Sequence, residues 1–197
     1  MNLVAHQYLS FDNQALQIGN LLGEVVKGNN YINYPTEISR GIILHRMIDS
    51  FTDEHEIVKK STSYFHATQN KYAPIVIDLM YDYFLIKNWN QYHITSFQEF
   101  KNECYNLFIS NYDNLPETLQ KIINHLIKYD WFSNYESLDG LQKTLNGIGK
   151  RTKFNNNLDK TLHSMIEHHD IIEDHFNQFF PIIIKMSKNF TYKTQKT

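Results

Sequence analysis

Apolar residues recur three and four positions apart along almost the whole of this 197-residue chain, and only seven glycines and four prolines interrupt them. That combination predicts long helices and disfavours a many-turned β sandwich. Leu16, Gly19, Leu22 and Val26 mark a first helix over about 13–27, followed by a loop at GNNYINYP. Pro35 and Thr36 suit a helix start, and Ile38, Ile42, His45 and Asp49 continue one stripe toward residue 51. A turn at FTDEHE leads into a short helix ending near His66, and YAPIVIDLMYDYFLIKNW is the most apolar helix. Beyond a polar break at NQYHITS, helices are expected over FQEFKNECYNLFISNY, PETLQKIINHLIKYDWF and SLDGLQKTLNGIGK. A last long helix runs from about Asn156 to Pro181, where the ring should kink or end it. No Gly/Ser or Pro-rich linker divides the chain and nothing repeats. The expected fold is all-α, one helical domain over residues 1–190 with a frayed tail over 191–197.

Charge and cysteine content narrow the function. Nineteen Lys and Arg against 21 Asp and Glu give a net charge of -2, which argues against a nucleic-acid binder relying on bulk positive charge. The single cysteine, Cys104, excludes an internal disulfide and a Cys-based zinc finger. In a helical stripe with Phe100, Leu107 and Phe108, it reads as a buried small hydrophobe. No segment has the roughly 18–20 consecutive apolar residues that span a bilayer. The opening MNLVAHQYLSFDNQ lacks the positive start of a signal peptide. A soluble protein of a reducing compartment, the cytoplasm, is expected.

Chemistry is expected where metal-ligand residue types break into the apolar stripes. Four groups do so in the first 90 residues: His6, Glu24, the HRMID run with His45 and Asp49, and the DLMYD run with Asp78 and Asp82. Residues four apart on a helix share a face with Cβ atoms about 5–6 Å apart. One helix thus presents an imidazole and a carboxylate side by side, and another presents two carboxylates. Converging in a bundle core, they would form a mixed nitrogen and oxygen site suited to Mn²⁺, Mg²⁺ or Fe²⁺ rather than to a soft metal. The same acids also fit a plainer reading as surface ions and helix caps.

The motifs, taken together, resemble the bacterial acyl carrier protein phosphodiesterase family, helical proteins distantly similar to HD-domain metal-dependent phosphohydrolases. MNLVAH, GNLLGEVVKG, GIILHRMIDSFTDEH and API-x-x-DLMYDYFL carry the resemblance, with weaker echoes in LNGIGKR and FNQFFP. It implies Mn²⁺-dependent removal of 4′-phosphopantetheine from holo-acyl carrier protein, with no nucleic acid and no membrane span involved. It further implies a metal held by His6, Glu24, His45, Asp49, Asp78 and Asp82, with Glu24, Arg46 and Asp82 in catalysis. Lys27, Arg40, Arg46 and Tyr83 would contact the substrate. Two residues depart from the family pattern: Glu24 stands where Asp is usual, and Tyr83 where His is usual. A nucleotide phosphohydrolase and a decayed helical interaction module stay open as alternatives. Docking of an acidic carrier would need local positive charge, for which Lys27, Arg40, Arg46, Lys59, Lys60, Lys150 and Arg151 are candidates. His163, His168, His169 and His175 form a further cluster that reads mainly as polar flanks of a helix.

Overall fold

The computed structural model describes residues 1–193, which form helices without strands. The helices are α1 (Leu3–Tyr8), α2 (Gln14–Gly23), α3 (Thr36–Glu54), α4 (Glu56–Gln69), α5 (Ala73–Lys87) and α6 (Phe97–Ser110). They continue with α7 (Glu117–Lys128), α8 (Trp131–Asn134), α9 (Leu138–Arg151), α10 (Leu162–Glu167) and α11 (His169–Lys193). No helix is long and apolar enough to cross a membrane among the described residues.

The apolar run of α5 makes it the axis of the bundle. Val76, Ile77, Leu79, Met80, Tyr81, Phe84 and Leu85 are fully buried, and α1, α4, α9 and α11 pack around them. A helix apolar on all sides is stable only when enclosed in this way. Trp89, just beyond its end, is also core: its indole N–H donates to the Thr95 carbonyl (2.9 Å) among Tyr8, Phe97 and Phe100. Cys104 is buried too, and burial pushes its thiol well above the ordinary value, so it is no nucleophile.

Four boundaries correct the sequence expectations. MNLVAH, which lies before the first predicted helix, opens the short helix α1. The first predicted helix over 13–27 ends at Gly23, because Val25 to Lys27 leave the helix for a 3₁₀ turn over Gly28–Asn33. The segment PETLQKIINHLIKYDWF is two helices, broken at Asp130, whose left-handed backbone (φ 41°) is held by Lys101 (3.0 Å) and Tyr105 (2.9 Å). The last helix begins at His169 and runs through Pro181 rather than ending there. The carbonyl that Pro181 leaves unpaired belongs to Asn177, and both residues face water, while Phe179, Phe180 and Ile183 stay buried on the opposite side. Burial of that face carries the helix on to Lys193. The expected frayed tail therefore begins inside α11, and its last four residues, 194–197, lie outside the described ones.

Candidate metal centre

Two helices touch backbone to backbone beneath the site. A Cβ on Gly19 of α2 would collide with the Ile38 carbonyl and lie 2.7 Å from the Gly41 Cα of α3. One on Gly41 would lie 2.5 Å from the Leu16 carbonyl oxygen. Glycine at both positions lets α2 and α3 approach so closely that Asn20, next to Gly19, reaches His45 on α3. Gly23, one turn further, leaves the space that the His45 ring occupies: a Cβ there would collide with the imidazole.

Asn20 sets the chemistry of the pair. Its Oδ1 accepts from His6 Nδ1 (2.8 Å) and from His45 Nδ1 (3.0 Å). Its Nδ2 donates to the His6 carbonyl (2.9 Å) and to Ser10 Oγ (3.1 Å). The carbonyl, which can only accept, fixes which way the amide points, and the amide oxygen in turn fixes both protons on Nδ1. Both Nε2 atoms therefore carry lone pairs, and both face Asp49: His6 Nε2 lies 3.1 Å from Oδ1 and His45 Nε2 lies 3.1 Å from Oδ2. The rings sit 4.3 Å apart, and the three ligand atoms fall within 4.8 Å of one another.

Electrostatics sharpen the point. Burial lowers the pKa of His6, so the imidazole resists taking a second proton. Asp49 is the most exposed member of the three, its side chain 45% accessible, so water keeps it ionised. Two imidazole lone pairs and a carboxylate thus converge without a donor between them. That is a donor set for a cation of hard or borderline character, with an outer partner, Asn20, orienting both ligands.

An open cleft of ≈ 280 Å³ lies against His45 and Asp49, and Glu24, Lys27 and Arg46 line it. Glu24 is exposed just past the end of α2, with Lys27 Nζ donating to its carbonyl (3.3 Å). Arg46 donates through Nη2 to the Val26 carbonyl (3.0 Å) and lies over the Tyr31 ring (5.3 Å). These contacts hold the guanidinium at the lip of the cleft.

Other expected site residues have separate partners. Asp82 is fully buried and accepts from the backbone N–H groups of Asn2 (3.3 Å), Val4 (2.9 Å) and Ala5 (3.2 Å). It caps α1 and does not join the imidazoles, because α5 runs beneath the start of that helix. Asp78, a turn earlier, accepts from the Met1 α-amino group (2.8 Å) and lines a different cleft with Asp53. The Tyr83 hydroxyl pairs with His169 Nε2 (3.3 Å) on the α11 side. Arg40 holds both oxygens of Glu37 (2.7 Å each) and the Thr191 carbonyl (3.1 Å), so it tethers α3 to α11 instead of facing the cleft. In the histidine cluster, His175 is buried against Ser61 (2.9 Å), and His169 stands near Asp170 and Glu173. Glu173 is already paired with Lys87 (2.7 Å).

Sequence reasoning passed over Asn20, although a polar residue beside a glycine inside GNLLG was the available signal. It also passed over Tyr31.

The family model described as acyl carrier protein phosphodiesterase matches residues 1–183. The acyl carrier protein phosphodiesterase of Enterobacter sp. (strain 638) is 30% identical over 190 residues, covering 96% of this chain and 98% of that protein. The enzyme of the same name from Yersinia pestis is 28% identical over the same shares. That of Escherichia coli O6:H1 is 29% identical over 188 residues, 95% of this chain and 97% of its own. No solved structure matches the chain.

Proposed function

The chain belongs to the acyl carrier protein phosphodiesterase family, and on that premise we propose that it hydrolyses the phosphodiester linking 4′-phosphopantetheine to a serine of holo-acyl carrier protein. The observation that carries the reading is the convergence of His6 Nε2, His45 Nε2 and Asp49 beside a cleft with two cations and a carboxylate.

The residues present fit a divalent ion that accepts nitrogen and oxygen together, Mn²⁺ foremost, with Fe²⁺ or Mg²⁺ as the alternatives. His6, His45 and Asp49 would hold it, and when bound it supplies positive charge to phosphoryl oxygens and lowers the pKa of water. Arg46 sits where its planar fork can take two phosphate oxygens, and Lys27 adds a second charge on the same lip. Asn20 keeps both imidazoles in the Nδ1–H form throughout. Glu24 is the cleft carboxylate not engaged with the imidazoles, so it is the group placed to hold a proton. In the balanced reaction a water oxygen bonds to phosphorus, and the bond from phosphorus to the serine oxygen breaks. Glu24 takes the proton the water loses and releases it to solvent, and the serine oxygen leaves with a proton taken from solvent. Glu24 is longer than aspartate by a methylene, yet on an exposed residue at a helix end that length is absorbed by the side chain. Asp82, Asp78, Tyr83 and Arg40 act as structural partners in this reading.

The test is incubation of the protein and Mn²⁺ with holo-carrier, followed by intact-mass measurement of the carrier. Conversion to apo-carrier that stops on chelation and is lost in His45→Ala supports the reading. Holo-carrier left intact while a nucleotide is hydrolysed would replace it with the nucleotide phosphohydrolase alternative.

A further inference from the structure

A second cavity, of ≈ 560 Å³, has twice the volume of the cleft beside His45. It opens between α7, α8 and α9, walled by Tyr129, Trp131, Tyr135 and Ile148, with Asn2 and the exposed Lys143 and Arg151 also lining it. Small-molecule sites fall between about 300 and 1,000 Å³ and combine apolar walls with a few polar groups. The reaction centre described above uses none of these walls.

Two observations connect this cavity to the imidazole pair. Asn2 immediately precedes α1, and His6 follows it by four residues, which is about 6 Å along the helix axis. Tyr135 is buried, which pushes its hydroxyl up, and the charges of Asp82 and Glu24 add to that while Arg151 opposes it. Tyr135 thus stands within electrostatic reach of both the cleft carboxylate and Arg151.

The third observation is a glycine without a local reason. Gly147 lies inside α9, where glycine destabilises a helix relative to alanine. A Cβ on Gly147 would meet nothing within 4 Å, in contrast to Gly149, whose Cβ would lie 2.7 Å from Asn156 Oδ1. No close packing and no positive φ explains glycine at 147. What a side chain there would enter is the cavity, which Gly147 lines.

We propose that the cavity lined by Trp131, Tyr135, Gly147 and Ile148 is the subsite for the pantetheine arm of the carrier substrate. The proposal rests on the reaction proposed above. The arm is a flexible chain with a dimethyl-substituted carbon, a hydroxyl, two amides and a terminal thiol. Its methyl and methylene groups match Trp131 and Ile148. Its hydroxyl and amides match Asn2, Asn134 and Thr144, all of which line the cavity. The short span from Asn2 to His6 lets the phosphate end lie at the imidazole pair while the rest of the arm extends along the cavity.

The test fills the cavity from Gly147. Gly147→Phe and the smaller Gly147→Leu are assayed with Mn²⁺ on holo-carrier and on bis(4-nitrophenyl) phosphate, with helical content checked by circular dichroism. Pantetheine binding is read from Trp131 fluorescence, using Trp131→Phe to subtract the signal of Trp89. The expected result is a rise of at least tenfold in KM for holo-carrier, with a loss on the small diester at least tenfold smaller. Pantetheine should change Trp131 fluorescence in the parent protein and not in Gly147→Phe. A folded filling variant that turns over holo-carrier with the parent KM overturns the proposal, as does a Trp131 signal blind to millimolar pantetheine. If the parent leaves holo-carrier intact while pantetheine still binds in a Gly147-sensitive way, the reaction is wrong and the cavity assignment stands.

Discussion

Asp82 and Asp49 are both aspartates set into helices of the same bundle, and their surroundings are opposite. Asp82 receives three backbone N–H groups from the start of α1, so its charge is met by donors. Asp49 faces two imidazole nitrogens that have no protons to offer, because Asn20 holds those protons on the far side of each ring. One carboxylate is met by donors, and the other is met by lone pairs. Spacing along a helix does not distinguish the two; the element that ends or passes in front of each does.

The comparison breaks most readily at Asp82. Asp82→Ala would leave the two buried N–H groups of Val4 and Ala5 without an acceptor, each costing about 1–3 kcal/mol, along with the half-buried one of Asn2, and the expected loss of stability is about 4 kcal/mol. Urea denaturation checks it against metal-free Asp49→Ala, which should lose under about 1 kcal/mol. Equal losses would erase the distinction.

The pH dependence of stability probes the same group. Burial pushes the Asp82 carboxyl up to about 7, against the Met1 α-amino group and the N–H groups of Val4, Ala5 and Asn2. A folded-state pKa above the unfolded one gives stability that is complete below the unfolded value near 3.8 and is lost as pH rises through about 7. The parent protein should therefore lose a few kcal/mol relative to Asp82→Asn between pH 4 and pH 8. Parallel curves from chemical denaturation at each pH would show that Asp82 does not titrate in that window.

At the other aspartate the sharpest test is geometric. Gly23→Ala places a methyl group in the space of the His45 ring, and a displacement of about 1 Å is expected to lower holo-carrier turnover roughly 10²-fold. Stability should fall by about 1–3 kcal/mol, the cost of an overpacked site. Unaltered turnover would mean that the ring has room to move.

Asn20→Ala is the mildest of the set. It removes no ligand, but it frees the two rings and takes the donor from the His6 carbonyl and Ser10 Oγ, so Mn²⁺ affinity by calorimetry should fall about 10–100-fold. Affinity equal to the parent's would show that the tautomers are fixed without the amide.

The helical fold was legible because stripes such as Ile38, Ile42 and His45, or the run through α5, report burial directly. His45 and Asp49 were legible as a pair because four-residue spacing on one helix is a local property. His6 was legible only as a residue type; that its ring meets His45 depends on α1 folding back over α2, which no periodicity encodes. Asp78 and Asp82 have the same spacing as His45 and Asp49, and the sequence carries no sign that the chain's first residues occupy both of them. Pro181 misled for a related reason: the cost of a proline depends on whether the carbonyl it orphans faces water, and that is a tertiary fact. Gly147 is the inverse case, a residue whose meaning is the space beside it.

The contact of Gly19 with Gly41 reaches beyond the site it supports. Where helices meet through side chains, temperature, pressure or a remote substitution can shift them by changing rotamers. Backbone against backbone has no such give. The distance from Asn20 to His45 is therefore set by a hard stop, and surface positions such as Glu24 can change length without the imidazoles moving. A bundle built this way keeps its innermost geometry constant while its periphery drifts, so new substrate preferences can arise at the rim without rebuilding the centre.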